Sequence, residues 1–281
     1  MLASLLALLA SVVWGTSDFL GGLEARRATA WAVVLICPGV AALGSLATIA
    51  VLSPPAPSLG LALILLVGGM CSAMSALTYY RAMTLTKMSV VSPILAGAAV
   101  VPVLWGLMRG EQPHPLQLVG VVATLTGIVI ISRPGPAAPD DGLPVTRAGV
   151  LLAVLSAVGA GLMLVTFDYG AASDPFWAVT GVRVSASFWI VVSLAVTRPR
   201  LGVQRRTIPL LILIGLMIVT ANTLFAAATT LEDLSVVAVL GWLSPAVTIL
   251  CARVVLHERL RPVQWLAAAI VLAGVVCLAL G

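Results

Sequence analysis

The chain of 281 residues consists of long apolar runs separated by short segments that hold nearly all of its proline, arginine and acidic residues. Each run is long enough to cross about 30 Å of hydrocarbon as a helix. Lipid offers no partner to backbone N–H and C=O groups, and the two-residue alternation of a barrel strand is absent, so the runs must be helical. We predict an all-α integral membrane protein with ten spans, at residues 2–22, 29–52, 60–80, 88–108, 116–132, 147–168, 176–197, 207–229, 235–255 and 262–280.

The longest polar segment, residues 133–146, divides the ten spans into two halves. It is rich in proline, glycine and aspartate, which is typical of a linker. The flanking sequences repeat at an offset of 146 or 147 residues, so that Glu111 corresponds to Glu258. We therefore predict a first five-helix repeat over 1–132 and a second over 147–281. Because five is odd, the second repeat must insert with the opposite orientation, as in many secondary transporters.

Three motifs carry a family resemblance. They are WGTSDFLGG at Trp14–Gly22, ALTYYRAMTLTKMSVVSPILA at Ala76–Ala96, and a Gly-Glu or His-Glu-Arg turn before Pro-x-Gln in each half. Over nearly its whole length the chain resembles the EamA-type family of the drug/metabolite transporter superfamily. The resemblance implies two inverted five-helix repeats and export of amino acids or related small metabolites. The chain departs from the family at Ala98, where members often carry a proline, so the shape of the fourth span stays open.

Composition excludes several classes of protein. Hydrophobic residues make up 61% of the chain and charged residues 9%, whereas soluble domains are about 25% charged. A water-soluble globule is therefore excluded, and no concentrated basic stripe suits nucleic acid. The chain has no phosphate-binding loop for ATP. The four cysteines lack the spacing of metal ligands, so we expect no metal and no cofactor.

Two other classes compete with a transporter. A membrane-embedded transferase needs paired carboxylates for a metal, or a nucleophile with a base. Adjacent acids occur only at Asp140–Asp141 and Glu232–Asp233, both in polar segments, so we expect no enzyme. A channel or a structural membrane protein is the second alternative, and unsaturated conductance would identify a channel. We expect a multi-pass protein of the cell membrane that contacts the lipid bilayer and a small-molecule substrate, as a monomer or homodimer, with possible proton coupling.

The basic residues predict an orientation. Loops after odd-numbered spans, which we call the basic end, hold 12 of them, and loops after even-numbered spans hold one, Arg109. The 12 are Arg26, Arg27, Arg81, Lys87, Arg133, Arg147, Arg198, Arg200, Arg205, Arg206, Arg259 and Arg261. The positive-inside rule therefore predicts a cytoplasmic basic end and both termini outside. The family resemblance instead implies that both termini are inside.

Two ionisable residues within spans are candidates for function, because a charge at membrane depth is costly. Arg183 lies a third to halfway along the seventh span. It is a candidate anchor for an anionic substrate group, and the alternatives are a structural ion pair or a side chain that snorkels to the interface. Asp18 lies about 6 Å from the predicted end of the first span. It is a candidate for proton coupling or for pairing with Arg183, and the alternative is an interfacial residue at the end of the helix.

Polar and aromatic residues at matching depths in the two halves add further candidates. Ser75 and Tyr79 share one face of the third span, and Asn222 occupies the position of Ser75 in the eighth. These polar residues predict either a polar substrate cavity between the repeats or hydrogen bonds between helices. Trp14 and Trp242 are candidates for lining that cavity, and the alternative is that they are interfacial anchors. Glu111 and Glu258 lie beside arginines in loops, and we interpret both as solvated turn residues, with functional gates as the alternative.

Overall fold

The computed structural model describes residues 2–133, 143–171, 175–229, 231, 240–241 and 243–280. Regular structure within these residues is helical, without a strand. The α-helices are α1 (Leu2–Arg27), α2 (Ala30–Leu52), α3 (Leu59–Leu85), α4 (Met88–Ala96), α5 (Val100–Met108), α6 (Pro115–Ile131), α7 (Arg147–Ala171), α8 (Pro175–Thr197), α9 (Ile208–Thr229), α10 (Ser244–Val255) and α11 (Pro262–Leu280).

The helices confirm the predicted fold class. Eight apolar helical stretches are long enough to cross a membrane, and α6 and α10 are shorter apolar helices. The fourth span contains α4 and α5, and α10 is the described part of the ninth predicted span. Large apolar side chains such as Leu43 and Val122 are exposed on the outer faces, as expected where lipid takes the place of water.

The fourth span is not a continuous α-helix. A 3-10 turn over Gly97–Ala99 separates α4 from α5, at the position where the family resemblance left the shape open. Pro102 has no N–H to donate to the carbonyl of Ala98, which weakens the α-helical bonding there. Gly161 of α7 packs against this carbonyl, since a Cβ would lie 2.6 Å from it. A tight turn in mid-helix is typical of a hinge or a strained segment.

Helix α1 is longer than predicted and packs closely against its neighbours. It ends at Arg27, nine residues after Asp18, so Asp18 lies about 14 Å from that end. Asp18 is thus near the middle of the span and not about 6 Å from its end. Close approach to α10 depends on Gly15, where a Cβ would clash with the Ser244 carbonyl. On α3 the ring of Tyr80 packs directly against Gly21.

Candidate functional site

A central cavity of about 200 Å³ lies between α1, α2, α3, α4, α8 and α9. Tyr80 is five residues from the basic end of α3, and Arg183 is fourteen residues from the basic end of α8. At 1.5 Å per residue these depths are about 8 and 21 Å, so the cavity spans the middle of a bilayer. Its lining includes Asp18, Pro38, Ser75, Tyr79, Arg183 and Ile218.

Helix α8 is fixed against α3 by two hydrogen bonds to one carbonyl. Ser185 Oγ and Trp189 Nε1 both donate to the Leu66 oxygen, at 2.9 and 3.1 Å. These contacts set the rotation of α8 about its own axis. Arg183 and Ala186, three residues apart on one face of the helix, then line the central cavity.

Arg183 is a cation in the central cavity without a counter-ion among the described residues. Its side chain is partly buried, and among the described residues it forms neither a hydrogen bond nor an ion pair. The predicted pairing with Asp18 is therefore absent, although both side chains line the cavity. An unpaired guanidinium at this depth is available to the carboxylate or phosphate of a ligand.

Asp18 contributes the negative charge of the central cavity. It is partly buried, and the ring of Tyr79 lies beside it on α3. The buried Tyr79 hydroxyl faces Asp18 and Ser92, but it makes no hydrogen bond of good geometry. The cavity therefore combines a cation, an anion and a polar hydroxyl in a wall that is otherwise mostly apolar.

Ser75 lines the central cavity, but its hydroxyl is used between helices. It lies 3.1 Å from Ser156 Oγ of α7, and Ser156 Oγ in turn donates to the Ser75 carbonyl at 2.9 Å. Ser75 therefore donates and Ser156 accepts in the contact between the two hydroxyls. The alternative of hydrogen bonding between helices thus describes Ser75 better than a substrate contact does.

Trp14 and Asn222 lie one helical turn from the central cavity, toward the end opposite the basic end. Trp14 Nε1 donates to Asn222 Oδ1 at 3.2 Å, and the Trp14 ring lies 5.2 Å from that of Phe225. We call these three residues the Trp14 contact, which joins α1 to α9. The sixth candidate, Trp242, lies outside the described residues.

On the basic side of the central cavity lies a cluster of charges that we call the Glu258 cluster, formed by Glu258, Arg26, Met88 and Ser89. Glu258 is 2% exposed, so its interpretation as a solvated turn residue is wrong. Its Oε1 accepts from Arg26 Nη2 at 3.0 Å and from the Met88 N–H at 3.1 Å. Its Oε2 accepts from the N–H and the hydroxyl of Ser89, at 3.1 and 2.8 Å. The carboxylate thereby caps the N-terminus of α4, where negative charge is favourable.

Three further bonds surround the Glu258 cluster, and one of them joins the two halves. The Arg26 guanidinium also donates to the carbonyls of Met83 and Thr86, at 2.7 and 3.0 Å. Lys87 Nζ donates to the Arg259 carbonyl at 2.8 Å. Between this cluster and the central cavity lie the buried side chains of Tyr80, Met83 and Met88. The basic end is therefore closed beneath the cavity.

The direction of the Glu258 side chain follows from a turn that occurs in both halves. His257 has a left-handed backbone with φ of 54°, and Gly110 precedes Glu111 with φ of 84°. Each turn closes a helix, because the Glu258 N–H bonds to the Ala252 carbonyl and the Glu111 N–H to that of Gly106. The Glu111 side chain is nevertheless exposed and has no hydrogen bond among the described residues. The sequence repeat around Glu111 and Glu258 indicates the shared turn, but it does not indicate that Glu258 is buried.

The described residues contain no group of histidine, cysteine, aspartate or glutamate side chains that could hold a metal ion. The four cysteines are free, and two of them are buried.

Comparison with known proteins identifies the family to which the chain is similar. A family model described as the EamA-like transporter family matches residues 1–133 and 147–280. No curated protein matches the chain. One solved structure, described only as "Crystal structure of protein", is 15% identical, with a TM-score of 0.64 over 98% of this chain and 94% of that chain. At this identity the likeness concerns the fold alone.

Proposed function

The chain belongs to the EamA-like transporter family, and we propose that it carries a small metabolite across the cell membrane by alternating access. The family resemblance seen in the motifs is thereby confirmed. The observation that carries the proposal is a pair of opposite charges, Arg183 and Asp18, in a cavity at the middle of the spans, neither of which forms an ion pair among the described residues. Secondary transporters place their substrate sites at this depth, between their two repeats.

The cavity favours a small zwitterion such as an amino acid. Arg183 offers the planar, two-pronged donor that binds carboxylates, and Asp18 offers an acceptor for an ammonium group. Pockets for drug-sized ligands measure about 300 to 1,000 Å³, and this cavity is smaller, at about 200 Å³. A compact amino acid therefore suits the site better than a large hydrophobic drug.

Asp18 also provides a route for coupling to protons. A proton and a substrate ammonium group both bind a carboxylate, and the two compete for the same oxygens. If protonated Asp18 returns without substrate, substrate moves out as protons move in. This exchange needs only that the two ligands exclude each other and that the empty carboxylate does not return.

Alternating access requires contacts on both sides of the cavity that form and break in turn. The Glu258 cluster and the Trp14 contact lie on opposite sides of it, and each joins the first half of the chain to the second. The 3-10 turn within the fourth span lies between these contacts and offers a bending point. We therefore assign the Glu258 cluster to the gate at the basic end.

The charge distribution supports an orientation of the chain in the membrane. By the positive-inside rule the basic end is cytoplasmic, so the Glu258 cluster would be the cytoplasmic gate of an exporter. The transport unit is one chain, as monomer or homodimer, because the central cavity is built within a single chain. A channel is the less favoured alternative, since buried ionic contacts close the basic end.

Uptake into proteoliposomes tests the proposal. We expect saturable uptake of a subset of radiolabelled amino acids, and a pH gradient to change their accumulation. The matched competitor is the decarboxylated amine of each substrate, which we expect to compete poorly because it has no group for Arg183. Arg183→Ala should weaken substrate affinity at least about tenfold, the loss of a hydrogen bond to a charged group.

Arg205→Ala is the control, since it removes an exposed charge at the basic end, far from the cavity. It should leave affinity and rate unchanged. Saturable flux with unchanged affinity in Arg183→Ala would remove Arg183 from the substrate site. Flux that rises linearly with concentration would identify a channel instead.

A further inference from the structure

A second cavity, of about 460 Å³, opens at the basic end where α10 turns into α11. Glu258 is the acidic residue of its wall, but both carboxylate oxygens are bonded to the Glu258 cluster on the inner side. As far as the structure describes the chain, the cavity therefore presents positive charge without a free counter-charge. Its lining is Arg253, His257, Glu258, Arg259, Leu260 and Trp265.

Two arginines are the donors in this second cavity. Both are exposed, and neither side chain forms an ion pair within the part of the chain that the structure describes. The guanidinium of Arg253 lies over the Trp265 ring, 5.4 Å from its centroid. A cation–π contact uses the face of the guanidinium and leaves its N–H edge for an anion. Arg253 and Arg259 are thus suited to bind a phosphate.

The surface beside this cavity is apolar. Leu250 and Val254 on α10 are 59% and 64% exposed, and Val263 and Leu266 on α11 are 53% and 62% exposed. Trp265 stands among them, and tryptophan is typical of the interface between lipid and water. A charged cavity that continues into apolar, lipid-facing surface fits an amphiphile better than a free anion.

We propose that this cavity binds the phosphate headgroup of an anionic phospholipid, whose acyl chains lie along α10 and α11. Basic pockets at the cytoplasmic ends of membrane helices bind such headgroups. The loop that would hold the lipid also holds Glu258, and its Arg259 carbonyl accepts from Lys87. The bound lipid therefore stabilises the closed basic end. This inference does not depend on the identity of the transported substrate.

The test uses the full chain in detergent micelles, by native mass spectrometry and by thermal melting. The added probes are phosphatidylglycerol, phosphatidylcholine and inorganic phosphate, each alone. We expect phosphatidylglycerol to stay bound and to raise the melting midpoint, while phosphatidylcholine at the same concentration does neither. Absence of this preference in the unaltered protein would overturn the proposal without any variant. An equal shift from inorganic phosphate would identify a free-anion site and would also overturn it.

A double variant, Arg253→Gln with Arg259→Gln, locates the site. It should lose both the retention of phosphatidylglycerol and the shift in melting midpoint. The matched control is Arg205→Gln with Arg206→Gln, which removes the same charge from exposed positions at the same end. The control should respond to the lipid as the unaltered protein does. Equal loss in both double variants would show general charge attraction and no site.

Trp265→Ala provides a second variant that leaves both arginines in place. Without the indole face the Arg253 guanidinium loses its support, so the shift caused by phosphatidylglycerol should fall. Retention of the full shift in Trp265→Ala and in the Arg253/Arg259 variant would exclude this cavity as the lipid site.

Discussion

The contacts on the two sides of the central cavity differ in kind. On the basic side, the side chain of Glu258 is 1% exposed and that of Arg26 is 18% exposed, and every oxygen of the carboxylate is bonded. On the opposite side, Trp14 and Asn222 share one neutral hydrogen bond of 3.2 Å, supported by the Phe225 ring. Both contacts join the two halves of the chain, but only the first contains buried charge.

This difference indicates which of the two contacts breaks more easily. Hydrogen bonds between membrane helices contribute on average about 0.6 kcal/mol, whereas removing one partner of a buried ion pair costs about 3 to 5 kcal/mol. Of these two contacts, the Glu258 cluster is thus expected to be the stronger. Within the cavity, Arg183 and Asp18 show a third arrangement, because neither forms an ion pair among the described residues and Asp18 has the Tyr79 hydroxyl beside it.

The largest expected effect comes from Glu258→Ala. It leaves Arg26 and the N–H groups of Met88 and Ser89 without an acceptor, so we expect a loss of about 3 to 5 kcal/mol in the free energy of unfolding. Thermal or denaturant unfolding in detergent measures it. The matched control is Glu111→Ala, the equivalent position of the other half, where an exposed side chain should contribute less than about 0.5 kcal/mol. Equal losses in the two variants would remove the contrast between the two glutamates.

Arg183→Met tests whether Arg183, unlike the Glu258 cluster, contributes nothing to the stability of the fold. Arg183 has no protein partner to lose, so we expect the melting midpoint without substrate to stay the same or to rise. Saturable transport should be lost at the same time. A fall in midpoint as large as that of Glu258→Ala would mean that Arg183 has a structural role.

Asp18→Asn separates binding from coupling. The amide keeps the size of the side chain but cannot exchange a proton, so a pH gradient should no longer drive accumulation. Exchange of labelled for unlabelled substrate should continue at a reduced affinity. Both fluxes are measured in the same proteoliposomes. Accumulation that still follows the pH gradient would exclude Asp18 as the coupling residue.

The smallest expected effect is at the Trp14 contact. Asn222→Ala removes one neutral hydrogen bond and should cost about 0.6 kcal/mol in the free energy of unfolding. A double-mutant cycle with Trp14→Phe should return a coupling energy of similar size. A coupling energy of several kcal/mol would make this contact as strong as the Glu258 cluster and would end the proposed asymmetry.

Some of the site was predictable from sequence and some was not. Arg183, Asp18, Ser75 and Tyr79 stand out as polar groups within apolar runs, and the structure brings all four to one cavity. Ile218 also lines the cavity, but nothing distinguishes it from other apolar residues of its span. The sequence predicts a first helix that ends too early, because Glu24, Arg26 and Arg27 are charged and yet belong to the helix. Asp18 therefore lies farther from the helix end than predicted.

The misinterpretation of Glu258 has a physical cause. The sequence shows two similar turns, each with a glutamate beside an arginine, and similar local sequence gives similar local backbone. What differs is the environment, since Glu258 meets the N-terminus of α4 at a separation of 169 residues. Local sequence contains no information on that long-range contact.

The sequence by itself determined the apolar spans and their helical conformation, because a bilayer requires long apolar segments whose backbone groups bond within each segment. It also marked the residues whose polarity is costly in such segments. Tertiary structure alone decided which charges are neutralised. Arg26 and Glu258 meet across 232 residues, while Arg183 and Asp18 face one cavity without meeting. That outcome depends on how the helices pack, and packing is a property of surfaces that are distant in sequence.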